Sequence, residues 1–324
     1  MIVSKTPLRA SFFGGGTDFR HYFENSKYGY GSCISTTLDI YVYIIVNKRF
    51  DDKIRVVYNG NELVDNVDDI KHNIIREALK ITGITKGIEI VYLANLPMTN
   101  LGFGLASSSA LAVGVLIALH TFKGEVVSKD TLAREACDIE INRLGAQIGI
   151  QDQYAVSYGG FNRYYYHKDD TVTVKKLNFS SKLLEKFMLF YTGNPRDSRP
   201  IFKEQEKNTK SKKEILDSLI EISDKANACL EKEEFDKIGL LLDQAWQIKK
   251  QFASSITNSN IDNMYTLALN SGALGGKVLG AGGGGFLLLY VPIDKQDAVR
   301  KALMHYKEIP FQIEEKGSII VYKD

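Results

Sequence analysis

Apolar positions in the first half of the chain alternate or cluster over residues 33–50, 87–96 and 160–177, a pattern that predicts strands. Between them the spacing lengthens to that of a helix over 70–81, 107–122 and 129–144, the last opened by Ser128 as an N-cap. The second half begins with a strand-like run at 187–192. Charged amphipathic helices follow over 201–231 and 235–252, then a third around 261–271. Strands near 276–278 and 285–291, a helix over 295–306 and strands near Phe311 and Ile319 complete the series. This is an α+β mixture in two halves, without the regular βα alternation of a doubly wound sheet, and the change of pattern predicts domains at 1–175 and 176–324.

Composition narrows what such a chain does. With 324 residues and 44% hydrophobic content it can bury a sizeable core in about two domains. The 41 Lys and Arg nearly balance 39 Asp and Glu, so no long-range field favours nucleic acid or an anionic membrane, and any anion recognition is local. Cys33, Cys137 and Cys229 are far apart and form neither a CxxC pair nor a zinc spacing. The longest apolar run, 110–119, is short of the ~20 residues that cross a bilayer, and the N-terminal stretch lacks the features of a signal peptide. The expectation is a soluble cytoplasmic protein.

Four segments carry glycines or carboxylates in patterns of interest. After a strand, GFGLASSSA (102–110) leads directly into a helix that is apolar almost all round. Small residues there let backbone N–H groups approach an anion at the positive end of the helix dipole, although a small-residue turn before a buried helix would look the same. It is not GxGxxG, because Ser107 holds the third glycine place, and no GK[ST] follows. In KVLGAGGGGFLLLY (277–290) four consecutive glycines exceed what a hairpin needs; backbone passing close to a ligand or another segment is one explanation and a wide turn the other. RASFFGGGTD (9–18) runs from a strand into glycines, a hydroxyl and a carboxylate, and Asp18 there is either a ligand or a turn residue. Finally, Glu140 falls on the small-residue face of its helix with Ala136 and Cys137, where a metal or cation would stabilise its charge; otherwise it is solvated or ion-paired. Asp152 follows beyond two glycines, on or beside a turn.

Taken in order, these segments resemble the GHMP superfamily, named for galactokinase, homoserine, mevalonate and phosphomevalonate kinases. RASFFGGGTD is similar to its first motif, GFGLASSSA to its phosphate-binding second, GAQIGIQDQY to the region of the catalytic aspartate, and KVLGAGGGG to its third. GIQDQYAVSYGG and GGKVLGAGGGGF look most like the bacterial D-glycero-D-manno-heptose 7-phosphate kinases; galactokinases have Glu and His where this chain has Gly15 and Gly16. The resemblance implies a two-domain fold with its active site in the interdomain cleft, and transfer of the ATP γ-phosphoryl group to a sugar phosphate. An unphosphorylated sugar, or a silent sensor on the same fold, are the alternatives. It further implies that Asp152 handles the proton of the attacking hydroxyl and that Arg9 neutralises developing charge. Gly102, Gly104, Leu105, Ala106, Ser107, Ser108 and Ser109 would cradle phosphates, Ser108 and Glu140 would hold Mg²⁺, and Gly15, Gly16, Thr17 and Asp18 would meet the sugar. Gly282 to Gly285 would pack against the phosphate loop from the second domain, with Gly282 and Gly283 at the phosphates. Arg196 and Ser198 either supply a second anion site for the substrate's own phosphate or are solvated charges at a helix start. Ala106 departs from the family's usual Gly or Ser, which matters only if that position needs φ > 0.

Overall fold

The computed structural model describes residues 1–96, 104–178, 180–193 and 199–324. Its first sheet contains β1 (Ile2–Phe13), β2 (Tyr30–Lys48), β3 (Ile54–Val57), β4 (Asn61–Val64), β5 (Ile88–Ala94), β6 (Phe161–His167) and β7 (Val172–Lys176). A second sheet holds β8 (Phe187–Tyr191), β9 (Gly275–Val278) and β10 (Phe286–Tyr290), with β10 central, while β11 (Ile319–Lys323) returns to the first sheet beside β1. The order in the large sheet is β11-β1-β2-β5-β3-β4. Strand β2 is long enough to pair with β6 over Tyr30–Thr36 and with β5 over Val42–Lys48.

The helix Ser107–Phe122 lies on β1 and β2, and its apolar circumference is buried, as a helix without a polar face must be. Its bounds are those the sequence predicts. The expected helix over 201–231 divides at Lys212 into Arg199–Ser211 and Lys213–Glu231. The expected strand over 160–177 is a hairpin, turning through Asp170 at φ 63°, a conformation that Asp tolerates better than most residues. Near Phe311 there is no strand, only single bridges at Glu308 and Ile313; the aromatic side chain packs into the core instead.

Two departures position functional groups. Pairing of β1 with β2 shifts register between Pro7 and Leu8, where Asp39 and Ile40 drop out of the ladder, and such a bulge re-aims the residue that follows. Arg9 is next in line. The helix that starts at Lys129 widens into a π-helix over Asp138–Arg143, with Leu144 N–H reaching Ile139 C=O. This carries Glu140 inward.

Candidate active site

Arg9 ties two of the expected segments together. Its guanidinium donates from Nε to Asp152 Oδ1 at 2.9 Å and approaches the same oxygen from Nη2 at 2.6 Å, while Nη1 donates to Gly104 C=O at 2.8 Å. Its backbone N–H donates to Leu105 C=O at 3.1 Å. The side chain is only 2% exposed, so its charge is compensated where it stands. Asp152 sits in the first turn of the helix Gln151–Tyr158, directly after the bend at Ile150 and so beside a turn as expected. QDQYAV has no apolar period to announce a helix, yet its first three side chains are each engaged. Gln151 accepts from Ser11 Oγ at 2.8 Å, Asp152 pairs with Arg9, and Gln153 donates to Glu140 Oε2 at 2.6 Å.

Glu140 is 3% exposed and also accepts from Ser109 Oγ at 2.6 Å, with Ser108 in reach. Burial holds its carboxyl above the usual carboxylate range, opposed by the hydrogen bonds from Ser109, Ser108 and Gln153. Among the described residues no cation pairs with it, and Gln153 Oε1 beside it is a buried acceptor without a partner. An anionic acceptor and an orphaned one fit a Mg²⁺ ion. No group of three acidic, His or Cys ligands exists among the described residues, so phosphate oxygens and water would have to complete the shell, as is usual for this ion.

A narrow cleft opens between the two halves. From the first half come Arg9, Ser11, Gly15, Gly16, Asp18 and Asp152, and from the second Phe202, Gln205, Lys249, Lys277 and Gly280. Asp18 accepts from Gly16 N–H at 2.8 Å, and a Cβ at Gly149 would stand 1.9 Å from Asp18 Oδ2, so glycine is what gives that carboxylate room. Burial raises its pKa, the Gly16 amide opposes this, and the Asp152 charge adds to it.

Two lysines in the cleft went unread in the sequence. Lys249 donates to Gly15 C=O at 2.8 Å and to Gln205 Oε1 at 3.2 Å; Lys277 donates to Phe12 C=O at 3.3 Å. Burial pushes the Lys249 ammonium down to about 8, against the pull of Asp18, and the Lys277 ammonium down to about 7, with Lys249 and Arg9 adding to the effect. A signal existed for each. Lys249 continues the buried stripe Ile238, Leu242, Ala245 of its helix, and Lys277 stands in a strand that is buried throughout.

Other expected residues lie elsewhere. Thr17 does not face the cleft: fully buried, it donates to the Gly14 and Ser32 carbonyls and so ties its glycine loop to β2. Gly282 and Gly283 pack against Ile256, whose carbonyl accepts from Gly283 N–H at 2.6 Å. Gly280 meets residue 104 ahead of the helix: a Cβ there would come within 2.7 Å of Gly104 Cα. Ala106 has φ 63°, so the position does need the left-handed region, and its methyl group is packed into the core. Leu105 is buried, Ser107 half-buried and Ser108 exposed at the helix start. Gly102, Arg196 and Ser198 lie outside the described residues.

Comparison with known proteins gives this layout its class. Residues 70–160 match the model for the GHMP kinases N terminal domain and residues 204–307 that for the GHMP kinases C terminal, and the chain belongs to the GHMP kinase family, whose members use ATP. It is 30% identical over 321 residues to the D-glycero-alpha-D-manno-heptose 7-phosphate kinase of Campylobacter jejuni, with 93% of each chain covered. To the galactokinase of Pyrococcus furiosus it is 25% identical, covering 94% of this chain and 92% of the relative. The fold matches a D-glycero-D-manno-heptose 1-phosphate kinase from Bacteroides thetaiotaomicron, with TM-score 0.77 at 22% identity and all of both chains covered. It also matches Lactococcus lactis galactokinase complexed with galactose, with TM-score 0.79 at 19% identity over 98% and 94% of the two chains. No helix among the described residues is long and apolar enough to cross a membrane.

Proposed function

We propose that the protein is a sugar-phosphate kinase that transfers the ATP γ-phosphoryl group to the anomeric hydroxyl of D-glycero-D-manno-heptose 7-phosphate, giving the 1,7-bisphosphate and ADP. The observation that carries the reading is the Arg9–Asp152 pair, set in the acceptor cleft and joined through Gly104 C=O to the phosphate loop. The similarity over 93% of the chain to a heptose 7-phosphate kinase supports the choice of sugar.

In this reading the acceptor oxygen forms a bond to the γ-phosphorus, the bond from that phosphorus to the β,γ-bridging oxygen breaks, and ADP leaves with the electron pair. The hydroxyl proton passes to the Asp152 carboxylate, while Arg9 keeps that carboxylate aimed and offsets charge building on the acceptor. Gly104 and Ser107 to Ser109 face the nucleotide phosphates at the helix start. Ser108 and Glu140 would hold Mg²⁺, which neutralises charge on the β- and γ-phosphates. Asp18 and the Gly15–Gly16 backbone meet the sugar, and the domains divide near residue 175. The test is ADP release with heptose 7-phosphate, heptose 1-phosphate, galactose, fucose and mevalonate. Heptose 7-phosphate is expected to give the highest kcat/KM, and a preference for galactose or mevalonate would refute the assignment.

A further inference from the structure

Buried charge in the cleft does not balance. Arg9 is paired with Asp152, but Lys249 and Lys277, 8% and 9% exposed, have no carboxylate within ion-pair distance among the described residues. An ammonium carries three N–H donors. Lys249 spends two, on Gly15 C=O and Gln205 Oε1, and Lys277 spends one, on Phe12 C=O, so three remain for something else. Asp18 is the carboxylate left to face them, and it already accepts from the Gly16 amide. An isolated ammonium is costly to bury, and the free protein lowers that cost by letting both lysines lose protons easily.

We propose that Lys249 and Lys277 form an anion subsite that takes the phosphate monoester borne by the acceptor. The three N–H donors left over, carried by two chain segments that line the same cleft, match in number the three terminal oxygens of such a group. The subsite belongs to the acceptor and not to ATP because of what the lysines touch. Lys249 holds the glycine loop that carries Asp18, Lys277 holds the end of β1, and neither bonds to residues 104–109. The inference rests on the reading of the cleft as a sugar-phosphate site, and it moves recognition of the second phosphate away from Arg196 and Ser198.

The test uses the full chain with Lys249→Met, Lys277→Met and the double variant. Replacing a buried ammonium with an apolar chain of similar length should leave the ligand-free melting temperature unchanged or higher, which separates lost binding from lost folding. Each single variant should lose at least tenfold more kcat/KM with heptose 7-phosphate than with unphosphorylated heptose, and KM for ATP should change less than KM for either sugar. Inorganic phosphate, titrated calorimetrically with a nonhydrolysable ATP analogue saturating the loop at 104–109, should bind the parent and not the double variant. Equal losses with phosphorylated and unphosphorylated acceptors would overturn the proposal and assign the lysines to the transferred phosphoryl group. So would phosphate binding that survives in the double variant, or that is absent from the parent. If the parent turns over no sugar phosphate, the functional reading fails on that result alone, while the phosphate titration still decides the subsite.

Discussion

Gly280→Ala probes the contact between the two halves most directly. The added Cβ would lie 2.7 Å from Gly104 Cα, where ordinary contact begins at 3.4 Å, so the glycine run and the phosphate loop must part by about 0.7 Å. Both partners are backbone, and neither can swing aside as a side chain would. Gly104 C=O is the acceptor of the Arg9 Nη1 bond at 2.8 Å, and a shift of this size along that bond stretches it to about 3.5 Å and weakens the hold on one arm of the guanidinium. Since a misplacement of about 1 Å costs roughly a hundredfold in rate, a loss of about tenfold or more in kcat/KM for ATP is expected. Gly280 also has φ +69°, which for alanine costs about 1–2 kcal/mol, offset by about 0.4–1 kcal/mol of unfolded-state entropy. A net loss near 1 kcal/mol lowers the melting temperature by about 2–4 °C. Gly124→Ala is the control: it has φ +79° and nothing within 4 Å, so it carries the backbone strain without the collision. Coupled ADP-release kinetics with ATP varied, alongside melts of both variants, separate the two effects. Parent-like ATP kinetics in Gly280→Ala would show that this contact does not set the loop.

Asp152→Asn should lower kcat by about 10²–10⁴ with nucleotide affinity kept, read by steady-state turnover beside a nucleotide titration. Glu140→Gln should raise the Mg²⁺ concentration needed for half-maximal activity. Because the Glu140 pKa is raised on folding, its stability contribution is lost as pH rises through the folded value, so Gln at pH 8 should leave the metal-free melt unchanged or higher. Ala106→Gly relieves about 1–2 kcal/mol of left-handed strain but gives up about 0.5–1 kcal/mol of backbone entropy and about 0.8 kcal/mol of methyl burial. Its melt should therefore move little, and its ATP kinetics should match the parent. Lys249 and Lys277, with pKa values of about 8 and about 7, release protons on folding, so their contribution to ligand-free stability grows as pH rises from about 7 toward the ordinary lysine value. Arg9, Asp18, Asp152 and the Cys33 thiol share their surroundings. Comparing melts of the parent and the Lys249→Met/Lys277→Met variant across pH 7–10 isolates the two lysines, and identical slopes would refute the assignment.

Much of this was legible in the sequence where one physical demand dominated. The helix 107–122 was readable because nothing polar interrupts it, and the glycine clusters because so many flexible residues are hard to explain by packing alone. What could not be read arises from pairings distant in the chain. Lys249 looks like one more charge on an amphipathic helix until its stripe is followed, and its partners lie at Gly15 and Gln205. Gln151 and Gln153 have no meaning until Ser11 and Glu140 stand beside them. Gly280 lies against Gly104 because register decides which glycine arrives there, and the four consecutive glycines that follow conceal it.

The seating of β11 against β1 sets an order of assembly. Ile2 to Lys5 find β2 partners some forty residues on, but their other neighbours are Ile319 to Lys323, from which more than three hundred residues separate them. During synthesis β1 therefore waits with one edge bare while nearly all of the chain emerges, and that edge is a template for unwanted pairing. Arg9 lies on the same strand, so the geometry that aims its guanidinium at Asp152 rests on a sheet that closes only when this longest-range contact forms. Such closure is slow, because the loop entropy is spent before the contact returns anything.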